Sequence, residues 1–237
     1  MPSTSQKSSI KNRLLAALPR NEFERLNPHL EPVSLPKGHL IYDAGDIVRH
    51  AYFLQTGMVS LLSATTKSQV IEVGMVGDEG LVGIPGVLRN RRAPLRAIVQ
   101  IPASALKISA DALRREFKRG GELQELILCF THSLVTQMGQ GVACNRYHTN
   151  EQRLARWLLM TRDRTHTPTF DLTHSFLSYM LGVARSGVTA AAGVLHDEGL
   201  ISYRRGKIKI LDEAGLESAA CDCYRVIRED CASSLAA

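Results

Sequence analysis

"GVARSGVTAAAGVL", residues 182–195, decides how this chain is read. Val188, Ala191, Ala192 and Leu195 fall at i, i+3, i+4 and i+7, which predicts one buried helical face. The opposite face carries Arg185, Ser186, Thr189 and Gly193 and is otherwise nearly bare. Just upstream, Phe176, Leu177, Met180 and Leu181 predict a short helix with Thr173 as its cap, and Gly182 breaks it. Two helices joined by a tight turn of about three to four residues make a helix-turn-helix. Asp197-Glu198-Gly199 closes the second helix, with Gly199 suited to the left-handed position beyond it. "LISY" and "KIKIL" then flank "RRG" as a small hairpin, or wing.

The bare face has a physical use. A helix that enters a DNA groove needs small residues so that its backbone can approach, and one or two long donors at its N-terminal end. Arginine suits guanine because its planar fork bonds O6 and N7 together, worth about 1–3 kcal/mol of base discrimination. Arg185 is the candidate base reader, with Ser186 and Thr189 beside it. Thr173, followed by His174 and Ser175, stands at a helix N-terminus, where backbone N–H groups favour a phosphate. Arg204, Arg205 and Lys207 in the hairpin add attraction that fades with salt. Taken alone, the segment also fits an ordinary helical hairpin with a solvated arginine. The wing and the basic balance of the chain tip the reading toward double-stranded DNA.

Outward toward the N-terminus, the period changes. Leu14, Leu15 and Leu18 predict a short helix stopped by Pro19, after a polar lead-in. From Val33 short strands are expected at "HLIY" (39–42), "YFLQ" (52–55), "MVSLLS" (58–63), "QVIEVG" (69–74), "RAIVQI" (96–101) and "ALKI" (105–108). Glycines punctuate them, which argues for an antiparallel barrel or roll. Leu123, Ile127, Phe130, Leu134, Met138 and Val142 then form one apolar helical stripe. It reads as a dimer seam, with cover for the roll as the plainer alternative. Gly139 and Gly141 should weaken that turn. A further helix buries Leu154, Trp157, Leu158 and Thr161, and "RDRTHTPTFD" (162–171) reads as a polar loop. The expected class is α+β. A lead-in and short helix (1–19) precede an antiparallel β-roll (20–120). A dimerisation helix (121–147) and a winged helix-turn-helix with a tail (148–237) follow.

Composition agrees. The 237 residues carry a formal net charge of +6, with 44% hydrophobic and 22% charged residues. This is globular composition with a bias toward anionic partners. No stretch is apolar for long enough to span a bilayer. The N-terminus lacks the hydrophobic run of a secretory signal, and five cysteines, an odd number, fit reduced thiols in a cytoplasm.

The order of roll, seam helix, helix-turn-helix and wing resembles the CRP/FNR family of bacterial transcription regulators over roughly residues 20 to 211. The resemblance rests on "PKGHLIYDAGD" (36–46), "YFLQTGMVSLL" (52–62), "GDEGLVG" (77–83), "NEQRLARWLL" (150–159) and "MLGVARSGVTAAAGVLHDEGLI" (180–201). It implies a cyclic-nucleotide-binding-like effector domain, homodimers on two-fold symmetric sites, RNA polymerase as a partner, and Arg185 as the recognition-helix arginine. It places the effector site near Glu79, Gly80 and Met138. There the chain departs from the family. The Arg-Ser or Arg-Thr pair that grips a cyclic phosphate aligns with Ala93-Pro94, and two hydroxyl residues of the dimer helix align with Met138 and Gly139. Cyclic AMP held in the usual way is therefore not expected. Arg89, Arg91, Arg92 and Arg96 crowd the same loop, which fits either a different small anion or solvated surface arginines.

Other chemistry is weaker. Cys221, Cys223 and Cys231 have no matching histidine pair for a zinc pattern, so thiols on a terminal helix are expected, with Cys129 and Cys144 in the seam or core. No metal and no cofactor is expected. No G-x-S-x-G elbow supports catalysis. A ligand-independent or partner-controlled DNA binder is the main alternative, and a metal-dependent enzyme on a roll scaffold the weaker one.

Overall fold

The computed structural model describes residues 10–64 and 70–233; the first part of the expected lead-in and the end of the tail lie outside them. The chain divides into two compact units. One holds the stretch ending at Leu62 together with Met75–Leu134, and the other holds Ser63–Gly74 and Val135–Asp230.

The first unit opens with α1 (Arg13–Ala17) and α2 (Arg20–Leu26), the second beginning straight after Pro19. Asn12 caps α1, and its side-chain amide donates to the carbonyls of Leu54, Asp78 and Gly80, which fastens the helix to the roll. The sheet is antiparallel. It comprises β1 (Glu31–Leu35), β2 (Leu40–Tyr42), β3 (His50–Ala64), β4 (Val70–Val76), β5 (Leu81–Val82) and β6 (Arg96–Ser109). Its main path runs β1-β6-β3-β4, with β2 on β6 and β5 on β3. Helix α3 (Ala110–Phe117) follows, capped by Ser109.

Two expected breaks between strands are bulges instead. "YFLQ" and "MVSLLS" join into β3, and "RAIVQI" and "ALKI" join into β6. Gly57 has φ +80°, and the register of β3 against β6 shifts around it. A Cβ there would sit 2.3 Å from the Pro102 carbonyl oxygen. The glycine thus lets the paired strand pass close by, rather than turning the chain.

Helix α4 (Glu122–Tyr147) runs unbroken through Gly139 and Gly141. Its apolar stripe splits. Leu123, Ile127, Phe130 and Leu134 are buried, and Phe130 packs on Gly80, so this half covers the roll. Val142, the last member of the stripe, is 73% exposed, and Leu128 and Val135, which lie outside the stripe at 46% and 63%, precede it at seven-residue intervals.

In the second unit, a capping box of Thr149 and Gln152 starts α5 (Asn150–Thr165), whose Leu154, Trp157, Leu158 and Thr161 are buried as expected. The segment 162–171 is not a loop. It finishes α5, turns at His166 with φ 53°, and adds β7 (Thr169–Asp171) to the wing. Its polar look arises because only Phe170 of β7 faces inward. Then come α6 (His174–Leu181), α7 (Arg185–Asp197), β8 (Ile201–Arg204) and β9 (Lys207–Ile210). The wing sheet has the order β7-β9-β8. Arg205 and Gly206, at φ 50° and 78°, form its two-residue turn. Helices α8 (Glu213–Ala219) and α9 (Asp222–Ser233) close the described chain.

Candidate nucleic-acid interface

The helix-turn-helix is held from beneath. Val188, Ala191, Ala192 and Leu195 of α7 are buried, and α7 packs on α5 and α6. Trp157 of α5 lies edge-on to Phe176 at 6.2 Å and donates its indole N–H to Glu72 at 2.7 Å. Gly182, at φ 62°, ends α6, and Ile71 fills the space where a side chain would stand.

This packing leaves Arg185 at the first turn of α7, exposed, with Ser186 exposed beside it. Among the described residues no carboxylate pairs with Arg185, Arg204 or Arg205, and Lys207 has only a loose, exposed contact with Asp171 at 3.8 Å. Ala184 provides no side-chain cap for α7; the Gly187 amide donates to the Ala184 carbonyl at 2.9 Å, and among the described residues the Arg185 and Ser186 amides have no backbone partner. Thr173 is exposed and accepts from the Phe176 amide at 3.2 Å as the cap of α6. Ser175 is exposed on the first turn of α6, where its carbonyl accepts from the Ser178 hydroxyl.

Thr189 is tied into the scaffold. Its hydroxyl donates to the Arg185 carbonyl at 3.0 Å and meets His174 Nδ1 at 2.9 Å. With the hydroxyl proton spent on a carbonyl, the imidazole donates through Nδ1. The His174 ring stacks on Tyr203 at 4.1 Å, linking α6 to the wing. Burial first, and the Arg185 charge second, hold the His174 pKa below its ordinary value. His174 thus braces α6, α7 and β8 together. That bracing role is not legible in the sequence, because its partners Thr189 and Tyr203 lie 15 and 29 residues away along the chain.

The roll treats its candidate residues differently. Glu79 and Gly80 are buried. Glu79 accepts from the Gly77 amide at 3.0 Å, and Gly80 lies under the Phe130 ring. Ala93 is buried in a backbone ladder, donating to Asp46 and accepting from Gly45 at 2.8 Å each. Arg96 forms a two-pronged bond with Asp43 at 3.0 and 2.7 Å, and Arg91 pairs with Asp111 at 2.9 Å. Arg92 donates to the Gly45 carbonyl and is the one member of this arginine group in the lining of an open pocket beside Tyr42, Ile47 and Tyr52. Arg89 is exposed, and Met138 is half-buried on α4. Two of the four loop arginines, Arg91 and Arg96, are thus already paired with carboxylates of the roll.

Comparison with known proteins agrees with this division. Residues 32–119 match the model of the cyclic nucleotide-binding domain, and residues 152–219 match that of the Crp-like helix-turn-helix domain. The chain is 23% identical over 221 residues to the global nitrogen regulator of Synechocystis sp., covering 88% of this chain and 96% of that protein. It is 21% identical over 202 residues to the CRP-like cAMP-activated global transcriptional regulator of Mycobacterium tuberculosis, covering 82% and 90%. Among solved structures it shares the fold of FixK2 from Bradyrhizobium japonicum, with a TM-score of 0.69 at 17% identity over 81% of this chain and 98% of that one. With both domain models in this order and an open arginine on the second helix of the pair, the chain belongs to the CRP/FNR family of DNA-binding transcription regulators.

Proposed function

We propose that this regulator acts in the cytoplasm as a homodimer, reads a two-fold symmetric operator through Arg185, and does not hold cyclic AMP in the usual manner of the family's nucleotide-binding members. One observation carries the first part: Arg185 leads α7 exposed and without a carboxylate partner, over a face of small residues. Ser186 stands ready beside it, Thr173 and Ser175 flank the phosphate path, and Arg204, Arg205 and Lys207 supply the salt-sensitive attraction. The exposed heptad positions Leu128, Val135 and Val142 support pairing of α4 with a second copy. Two recognition helices then lie about one DNA turn apart. RNA polymerase is the proposed further partner.

The buried Ala93, the proline after it and the covered Gly80 support a roll without the usual cyclic-phosphate grip. Arg89 and Arg92 are the loop cations left for another small anion. A roll that answers to a protein partner, or to nothing, fits the same features.

Operator selection from random DNA tests the reading. The expected product is a site with dyad symmetry. Arg185→Ala should weaken binding to that site by about 5-fold to 150-fold, the equivalent of about 1–3 kcal/mol. It should also relax preference at one base pair per half-site and leave non-specific affinity nearly intact. A selected site without symmetry overturns the dimer, and an unchanged preference overturns the role of Arg185.

A further inference from the structure

Cys144 and His148 lie one turn apart at the end of α4, and Cys221 and Cys223 stand at the start of α9. Cys144 and Cys221 are 77 residues apart in sequence, yet the fold brings all four side chains together. Their ligand atoms lie within 4.8 Å of one another. Cys144 Sγ is 3.5 Å from Cys221 Sγ, and Cys223 Sγ is 3.6 Å from His148 Nδ1. The three cysteines are buried, form a cluster of their own, and are free thiols.

These distances have a simple meaning. Two thiolates bound to one tetrahedral zinc, each at about 2.3 Å, stand roughly 3.8 Å apart, and a thiolate and an imidazole on the same ion stand roughly 3.6 Å apart. The two shortest separations match edges of such a tetrahedron, and all four ligand atoms stay within 4.8 Å of one another. A disulfide needs sulfurs about 2 Å apart, and an iron–sulfur cluster, several atoms wide, would need its ligands spread further.

A second observation points the same way. Arg153 and Arg156 of α5 are only 7% and 8% exposed. Among the described residues neither pairs with a carboxylate. Arg156 donates to the weak acceptor Met160 Sδ, and the Nε of each has no partner. A buried cation without a counter-charge is costly. Both arginines carry their charge within electrostatic reach of the Cys144 sulfur. Three thiolates, one neutral imidazole and one divalent ion leave a net single negative charge, which Arg156 offsets directly.

We propose that Cys144, His148, Cys221 and Cys223 form a structural zinc site that fastens the last turn of α4 to the α8–α9 tail. The donor set is closed, with four protein ligands and no open position, so its work is to stabilise the fold and not to catalyse.

The test uses the full-length reduced protein, expressed with zinc supplied and then dialysed. Elemental analysis should find close to one zinc per chain. Exchange of cobalt(II) for zinc should give a visible spectrum of tetrahedral thiolate coordination. Cys144→Ser and Cys223→Ser should each lose most of the bound zinc, whereas Cys129→Ser should keep it. Because a variant could fail to fold, the decisive measurement is made on the wild type. A strong chelator should lower its thermal midpoint and raise the number of thiols that react with an aromatic disulfide by three. A metal-free wild type whose midpoint ignores zinc overturns the site, as does a Cys144–Cys221 disulfide in freshly purified protein. Iron with acid-labile sulfide in place of zinc overturns the mononuclear assignment.

Discussion

Arg89, Arg91, Arg92 and Arg96 crowd one loop of the roll, while Arg185, Arg204, Arg205 and Lys207 are spread over a helix and a wing. By density alone the first group looks like the anion site. The structure sorts them the other way. Arg91 and Arg96 are matched to Asp111 and Asp43, which leaves Arg89 exposed and Arg92 with one nitrogen on a carbonyl. Arg185, Arg204 and Arg205 have no carboxylate beside them among the described residues. A cation already matched within its own fold must break that match to bind a ligand, while an open one must only give up water. Pairing, more than local count, marks the cations available to a partner.

The comparison can be strained from the scaffold side first. Trp157 is fully buried under the helix pair and bonded to Glu72. Trp157→Ala should cost about 3–5 kcal/mol in urea unfolding and lower operator affinity along with stability. Full retention of both would mean that the wing and α7 do not depend on this packing. At the roll, Arg96→Ala should cost less than about 1 kcal/mol, since its pair with Asp43 is largely exposed. It should leave DNA affinity within a factor of two. A large loss of affinity would put the loop arginines back among the functional cations.

The smallest effect concerns His174. Its folded pKa lies below the ordinary value, so the unfolded chain binds its proton first as pH falls. The stabilising contribution of the neutral ring is therefore complete above about pH 6.5 and is lost as pH drops through the folded pKa. Urea midpoints measured from about pH 8 to pH 5 should fall more steeply for wild type than for His174→Gln. Parallel curves would show that the imidazole does not couple α6, α7 and the wing.

Much of the DNA-binding unit is legible in the amino-acid sequence. The buried face of α7, the cap at Thr173, the turn at Gly182 and the wing around Arg205-Gly206 all stand where the local pattern puts them. These signals are short-range, since a helix face or a two-residue turn is written within a few residues. Gly57 misleads because a glycine marks a bulge and a turn alike, and only the strand across from it decides which. The stripe on α4 likewise mixes two jobs. Leu123, Ile127, Phe130 and Leu134 cover the roll, while Val142 is exposed, in a row with Leu128 and Val135.

By itself the sequence determined the order of elements, the helix-turn-helix and the identity of the arginine at its mouth, because periodicity, caps and turns are local. Only the tertiary structure decided which arginines are free, which face of α4 is open, and that Cys144 and His148 meet Cys221 and Cys223. Those facts depend on contacts between residues tens of positions apart, and no local pattern encodes what a side chain will find across the fold.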